Sequence, residues 1–171
     1  EKGIQELIYA AEKIKEKRKD FIINIVGDGE YYEHAENLIQ RLDLTEHINL
    51  LGGIYDTEQI KKNYLQSDIY ILPTYHEGFP RTLYEAMIFG TPIVTTFVGG
   101  ISSIMKDMYN CLEIKPKSIE SITSVLIFAM DNYSLMMNYA ENGKKTVNNI
   151  VNSTRLSHAR ELNNKIKRAY E

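Results

Sequence analysis

Short apolar runs alternating with stretches of helical periodicity limit the fold of this chain more than any other feature. The runs are FIINIVG (21–27), HINLLGG (47–53), DIYILP (68–73) and PIVTT (92–96), with CLEI (111–114) as a short fifth. Helical spacing fills about 30–42, 56–66 and 80–89 between them, and Asp56 or Thr57 stands where the second of these needs an N-cap. Ahead of the first run, residues 4–17 set Ile4, Leu7, Ile8, Ala11 and Ile14 three and four apart, one face of a helix. Strands separated by helices of about 10 to 15 residues are βαβ units of a parallel sheet. Near-continuous apolar strands suit a sheet covered on both faces. Beyond residue 118 the pattern is wholly helical, in segments 118–131, 134–149 and 154–170. The expected fold is α/β, a doubly wound parallel sheet with a helical C-terminal tail.

With 171 residues the chain is most simply one domain with a real core. Its net charge of −3 gives no basic field to attract nucleic acid or anionic lipid. The single cysteine, Cys111, cannot form an internal disulfide and suits a reducing compartment. No apolar run approaches the roughly 18 residues of a membrane span. The opening, EKGIQELIYA, enters a helix almost at once and reads as an excised domain.

In open α/β sheets ligands bind beyond the carboxyl ends of the strands, and the loops there are unusual. They are GDGE (27–30), GGIYD (52–56), TYHEGFP (74–80) and VGGIS (98–102). GDGE is half of a dinucleotide fingerprint. Position 32 is Tyr where the third glycine would stand, which argues against a nicotinamide cofactor. The most informative pair is Glu77 and Glu85, the second in the apolar helical run LYEAMIFG. A carboxylate buried there costs several kcal/mol by rough estimate unless something pairs with it. Arg81, one turn earlier, is one partner, and a ligand with vicinal hydroxyls such as a ribose is the other; the residues alone leave both open. Between the carboxylates, the amides opening the helix favour an anion, though Pro80 supplies none. VGGISSIM adds a glycine turn with Ser102 and Ser103, readable as a phosphate nest or as a plain cap. His76 is the one histidine in a candidate loop. The four histidines show no metal-ligand spacing, no Asp-x-Asp pair is present, and no G-x-S-x-G argues for a hydrolase. The twelve tyrosines form no stacking motif for nucleic acid.

Taken together these motifs resemble the C-terminal, donor-binding domain of the retaining glycosyltransferases of family 4, with the GT-B fold. The likeness runs in order through EKGIQELIYA, IVGDGE, INLLGGI, SDIYILPTYHEGFPRTLYEAMIFGTPIVTTFVGGISSIM, NCLEI and the helical tail. Its most specific part is Glu-x7-Glu (77 to 85) followed by AM-x2-GTP-x-V-x4-GG (86–100). The resemblance implies a Rossmann-like sheet and a role for each matching residue. Lys2 would meet the donor diphosphate, Glu85 the ribose hydroxyls, and Glu77, the catalytic candidate, a hydroxyl of the transferred sugar near its anomeric carbon. Backbone amides of Gly78, Phe79 and Arg81 would meet sugar or phosphate. Gly27 and Gly29 would let the nucleotide approach, and Ile54 would face the base. His76, Gly99 and Gly100 are secondary candidates.

The same resemblance implies a metal-independent enzyme with no cofactor, using a nucleoside-diphosphate sugar as donor and a saccharide or lipid-linked acceptor. Residues 1–171 would be the donor domain of a two-domain transferase whose N-terminal acceptor domain lies elsewhere. A cytoplasmic location is implied, with peripheral association at the inner face of a membrane, and the family's commonest use is surface polysaccharide synthesis. Two departures matter. The family's strand and arginine before EKG are absent, so a gap is expected between FIINIV and IYIL unless the strands close up or another chain fills it. IVNST stands where the family has an aromatic-Ser-Trp signature, which bears on how the tail docks. A nucleotide-sugar 2-epimerase, a sugar phosphorylase and a non-catalytic nucleotide-sugar-binding module are the alternatives.

Overall fold

The computed structural model describes residues 1–78 and 80–154 with their side chains, and the backbone of 155–170. Helix α1 (Ile4–Lys15) leads into β1 (Ile23–Val26), α2 (Tyr32–Arg41), β2 (Ile48–Gly52), α3 (Thr57–Gln66), β3 (Tyr70–Leu72), α4 (Arg81–Phe89) and β4 (Ile93–Thr95). A 3-10 turn (Gly99–Ser103), β5 (Leu112–Glu113), α5 (Ile119–Asp131) and α6 (Tyr133–Tyr170) complete the described chain. Every strand and helix read from the apolar pattern is present, usually a residue or two shorter. Asp56 is the N-cap of α3, its carboxylate accepting from the Gln59 amide at 2.8 Å, a contact of about 1 kcal/mol. Ser118 caps α5 in the same way through the Ser121 amide.

All pairings are parallel, but the strands form two sheets. β1 pairs with β2, and β3, β4 and β5 pair in that order. β1 and β3 face each other across a cleft of about 1760 Å³ lined by residues 21–26 on one side and 68–73 on the other. The gap expected between FIINIV and IYIL is therefore present. Ile23 and Gly27 donate their amides to the His47 and Gly52 carbonyls. Because residues alternate sides along a strand, the amides of Asn24 and Val26 turn toward the cleft. On the facing edge Tyr70 donates to the Pro92 carbonyl, which turns the Ile71 amide into the cleft as well.

Helix α1 bridges the split. One face, Ile8 and Ala11, packs with Leu38, Ile39 and Ile48 under β1 and β2. Its other face, Leu7, Ala10 and Ile14, packs with Val94, Ile114, Ile122 and Leu126 under the second sheet. A third core joins α4, the 3-10 turn and α6 through Leu83, Met87, Ile101 and Val147.

Two expectations are corrected. The sheet is not covered on both faces throughout: Asn24 and Asn49 are exposed on β1 and β2 and bond to each other at 3.0 Å, and Val26 is 50% exposed beside the cleft. The tail segments 134–149 and 154–170 are one helix, α6. No glycine or proline interrupts it after Gly143. Ser153 and Thr154, at the start of the second expected segment, donate their hydroxyls back to the Ile150 carbonyl at 2.8 and 2.9 Å, which a helix tolerates.

Candidate functional site

The strand order reverses at the cleft: the chain runs outward from β1 to β2, then returns across the gap to β3, β4 and β5. Such a switch point is where open α/β sheets bind ligands, beyond the carboxyl ends of the strands. Lys2, Gly27, Gly29, Ile54, Glu77, Arg81 and Glu85 all border this one cleft. Five separate stretches of chain are thereby brought together.

The end of β3 builds the first part. The Glu1 carbonyl accepts from the Tyr75 amide at 2.8 Å, which ties the chain before α1 to the loop after β3. Gly3 makes that approach feasible, since it sits at φ 69° and a Cβ there would overlap the Pro73 carbonyl oxygen. Lys2 is thus placed to form an ion pair with Glu77, whose side chain is only 16% exposed. Gly99 supports Glu77 from behind: at φ 55° it packs against the Glu77 carbonyl so closely that a Cβ would collide with it.

The second part is the amino end of α4. Pro80 precedes the helix in an extended conformation without a side-chain cap, so first-turn amides are left for another acceptor. Glu85 lies one turn in, 19% exposed, with Oε1 accepting from Arg81 Nε at 2.7 Å. Its Oε2 accepts from the Tyr64 hydroxyl of α3 at 3.2 Å. The pair with Arg81 is therefore formed, and each carboxylate oxygen keeps capacity for a further donor. Tyr70 donates to the Thr82 hydroxyl at 2.7 Å, and burial pushes its phenol up to about 12.

The third part is a clasp between the loops after β1 and β2. Tyr55 donates to Asp28 Oδ2 at 2.7 Å, fixing GDGE against GGIYD. The clasp leaves Gly27, Gly29 and Ile54 on the cleft wall.

Some predicted residues fall elsewhere. Gly78, His76, Gly99 and Gly100 do not border the cleft among the described residues, and Phe79 lies outside them. In VGGISSIM the Ser102 and Ser103 hydroxyls donate to the Gly99 and Gly100 carbonyls of their own turn. Burial pushes the Cys111 thiol up to about 12, with Asp107 and Glu113 adding to it, so it is no ready nucleophile. No group of three or more His, Cys, Asp or Glu is arranged for a metal ion among the described residues. Sequence reasoning missed Tyr64, Tyr55 and the Lys2–Glu77 pair, because partners so distant in the chain leave no spacing signal.

Comparison with known proteins bears on this geometry. The family described as glycosyl transferases group 1 matches residues 1–146. A putative teichuronic acid biosynthesis glycosyltransferase of Bacillus subtilis is 32% identical over 126 residues, 74% of this chain and 29% of that protein. The C-terminal domain of a glycosyl transferase group 1 family protein from Francisella tularensis superposes with a TM-score of 0.77 at 27% identity, covering 86% of this chain and 78% of that one. A protein from Anabaena, crystallised with UDP-glucose, shares the fold with a TM-score of 0.75 at 22% identity, over 91% of this chain and 45% of its own. The chain spans 37%, 39% and 40% of the length of three curated relatives it matches.

Proposed function

Because the chain belongs to the family of glycosyl transferases group 1, we propose that its cleft is the donor site of a retaining hexosyltransferase that uses a nucleoside-diphosphate sugar. One observation carries the reading. Glu77 and Glu85, eight residues apart, border a single cleft at the carboxyl end of a split sheet, with Lys2 and the amino end of α4 between the same walls.

In this reading the ribose hydroxyls donate to the free capacity of Glu85, and Gly27, Gly29 and Ile54 flank the base. The diphosphate takes Lys2 away from Glu77, which frees that carboxylate for a sugar hydroxyl beside the anomeric carbon. Transfer forms a bond from that carbon to an acceptor hydroxyl oxygen, breaks its bond to the terminal phosphate oxygen, and leaves negative charge on the diphosphate, which takes up the hydroxyl's proton. Lys2, Arg81 and the α4 amides meet the charge, so no metal ion is required. The complex of the Anabaena protein with UDP-glucose supports this choice of ligand class. The relatives' greater length is consistent with an acceptor domain outside residues 1–171, and the Bacillus subtilis relative supports a role in surface polysaccharide synthesis. The acceptor would be a saccharide or a lipid-linked one, met in the cytoplasm or at the inner face of a membrane. Residues 1–171 alone should transfer nothing measurable, and turnover in a sugar-transfer assay would overturn that expectation.

A second reading has one observation in its favour. Both carboxylates already have partners, Lys2 and Arg81, as they would in a scaffold that binds nothing. Calorimetric titration with UDP, GDP and ADP separates the two. One nucleotide should bind, and Glu85→Ala should weaken it by about 1–3 kcal/mol, the scale of a lost hydrogen bond to a charged group. A folded chain that binds none of the three supports the scaffold.

A further inference from the structure

Glu85 is held by two groups of different character. Arg81 is 85% exposed, and an exposed i,i+4 ion pair is weak and easily displaced. Tyr64 is held from several sides. Its ring lies 5.5 Å from that of Tyr70 and 5.5 Å from that of Phe89. Its carbonyl accepts from the Thr91 hydroxyl at 2.9 Å. Its own hydroxyl reaches both Glu85 Oε2 and the Thr82 carbonyl, each at 3.2 Å.

A phenol has one proton to give. A carboxylate takes it more strongly than a neutral carbonyl does, because the bond is charge-assisted. Burial foremost, with the neighbouring Tyr70 and Glu85, pushes the Tyr64 phenol far up, so it stays a donor at any pH at which the protein would work. The Thr82 carbonyl, in the first turn of the helix that carries Glu85, keeps the hydroxyl in place if the carboxylate turns away.

We propose that Tyr64 is a positioning residue that anchors Glu85 Oε2, so that the carboxylate's remaining lone pairs are aligned for the two vicinal hydroxyls of a ribose. The proposal rests on the donor-site reading and adds to it the residue that sets selectivity for a ribonucleotide. A ribose needs a carboxylate fixed in one rotamer, because its two hydroxyls must both find an acceptor. Arg81 cannot provide that fixity, since it shares the flexibility of an exposed side chain. Tyr64 reaches across from a second helix and can. It touches no ligand in this scheme and acts only through Glu85.

The test compares whichever of UDP, GDP and ADP binds with its 2′,3′-dideoxy counterpart, by calorimetry, in the unaltered chain and in Tyr64→Phe and Glu85→Gln. Tyr64→Phe removes one oxygen and keeps the ring between Tyr70 and Phe89, and its thermal midpoint confirms the fold. The expected result is a loss of about three- to tenfold in ribonucleotide affinity, the range for one hydrogen bond, with dideoxynucleotide affinity unchanged. Glu85→Gln should narrow the same gap between the two ligands. Equal weakening of both ligands by Tyr64→Phe would show a packing role and overturn the proposal. No change in either, while Glu85→Gln still narrows the gap, would overturn it and leave the donor-site reading standing. An unaltered chain that binds neither ligand, or does not distinguish them, would defeat the donor-site reading and this proposal together.

Discussion

Glu77 shows how one carboxylate depends on residues far from it in sequence. Lys2 reaches it because the Glu1 carbonyl is bonded to Tyr75, and its backbone is supported by Gly99. Gly99→Ala should therefore cost more than an ordinary loop substitution. It would force a β-carbon into the left-handed region, at least about 1 kcal/mol, and into the Glu77 carbonyl. Urea unfolding should show the loss, and nucleotide affinity should fall with it; a variant as stable as the parent would mean that the Glu77 loop is held some other way. Part of this was legible in the sequence. Glu77, Glu85 and Lys2 belong to motifs, and Arg81 stands one turn from Glu85. The purpose of Gly99 was not legible, because a glycine pair looks the same whether it cradles a phosphate or lets two backbones touch. Tyr64 lies 21 positions from Glu85, and only the packing of α3 on α4 joins them.

At the scale of elements, the α1–β1 connection is fastened by charge. Arg18 donates to Asp20 at 2.7 and 2.6 Å and to Asp131, the last residue of α5, at 2.8 Å. The bond from Arg18 holds the Asp20 carboxyl down, from 3.8 to about 2. A carboxylate lowered in the folded state adds stability that is full above its unfolded value and is lost as pH falls through its folded one. The contribution should thus be complete above about pH 4 and gone near pH 2, and solvent and salt should screen it because the carboxylates are exposed. Thermal unfolding of Arg18→Ala at low salt should show a lower midpoint than the parent at pH 7 and a narrowing gap between pH 4 and 2. A gap independent of pH would assign Arg18 a packing role. The elements themselves were readable because strand and helix periods differ sharply. The uninterrupted α6 was not, since Asn-Ser-Thr occurs both at caps and inside helices, and only the back-bonding of Ser153 and Thr154 to Ile150 settles which.

The whole molecule is organised by its split sheet. α1 packs under both halves and holds them in one fold, while the edges of β1 and β3 line an open cleft. Native-state hydrogen exchange should reveal that asymmetry: the amides of Asn24, Val26 and Ile71, turned into the cleft, should exchange well ahead of those of Ile23 and Tyr70, which are bonded to neighbouring strands. Equal protection of both sets would mean that the halves close in solution. The same split sets the proposed donor site at the switch point, where the loops after β1, β2 and β3 converge. A crystal structure of the chain grown with UDP, GDP or ADP tests that placement most directly. The ribose hydroxyls should lie within hydrogen-bond reach of Glu85, the diphosphate should lie on Lys2 and the first turn of α4, and the Lys2–Glu77 pair should be parted. A nucleotide bound away from Glu85, with that pair intact, would contradict the reading of this cleft as a donor site.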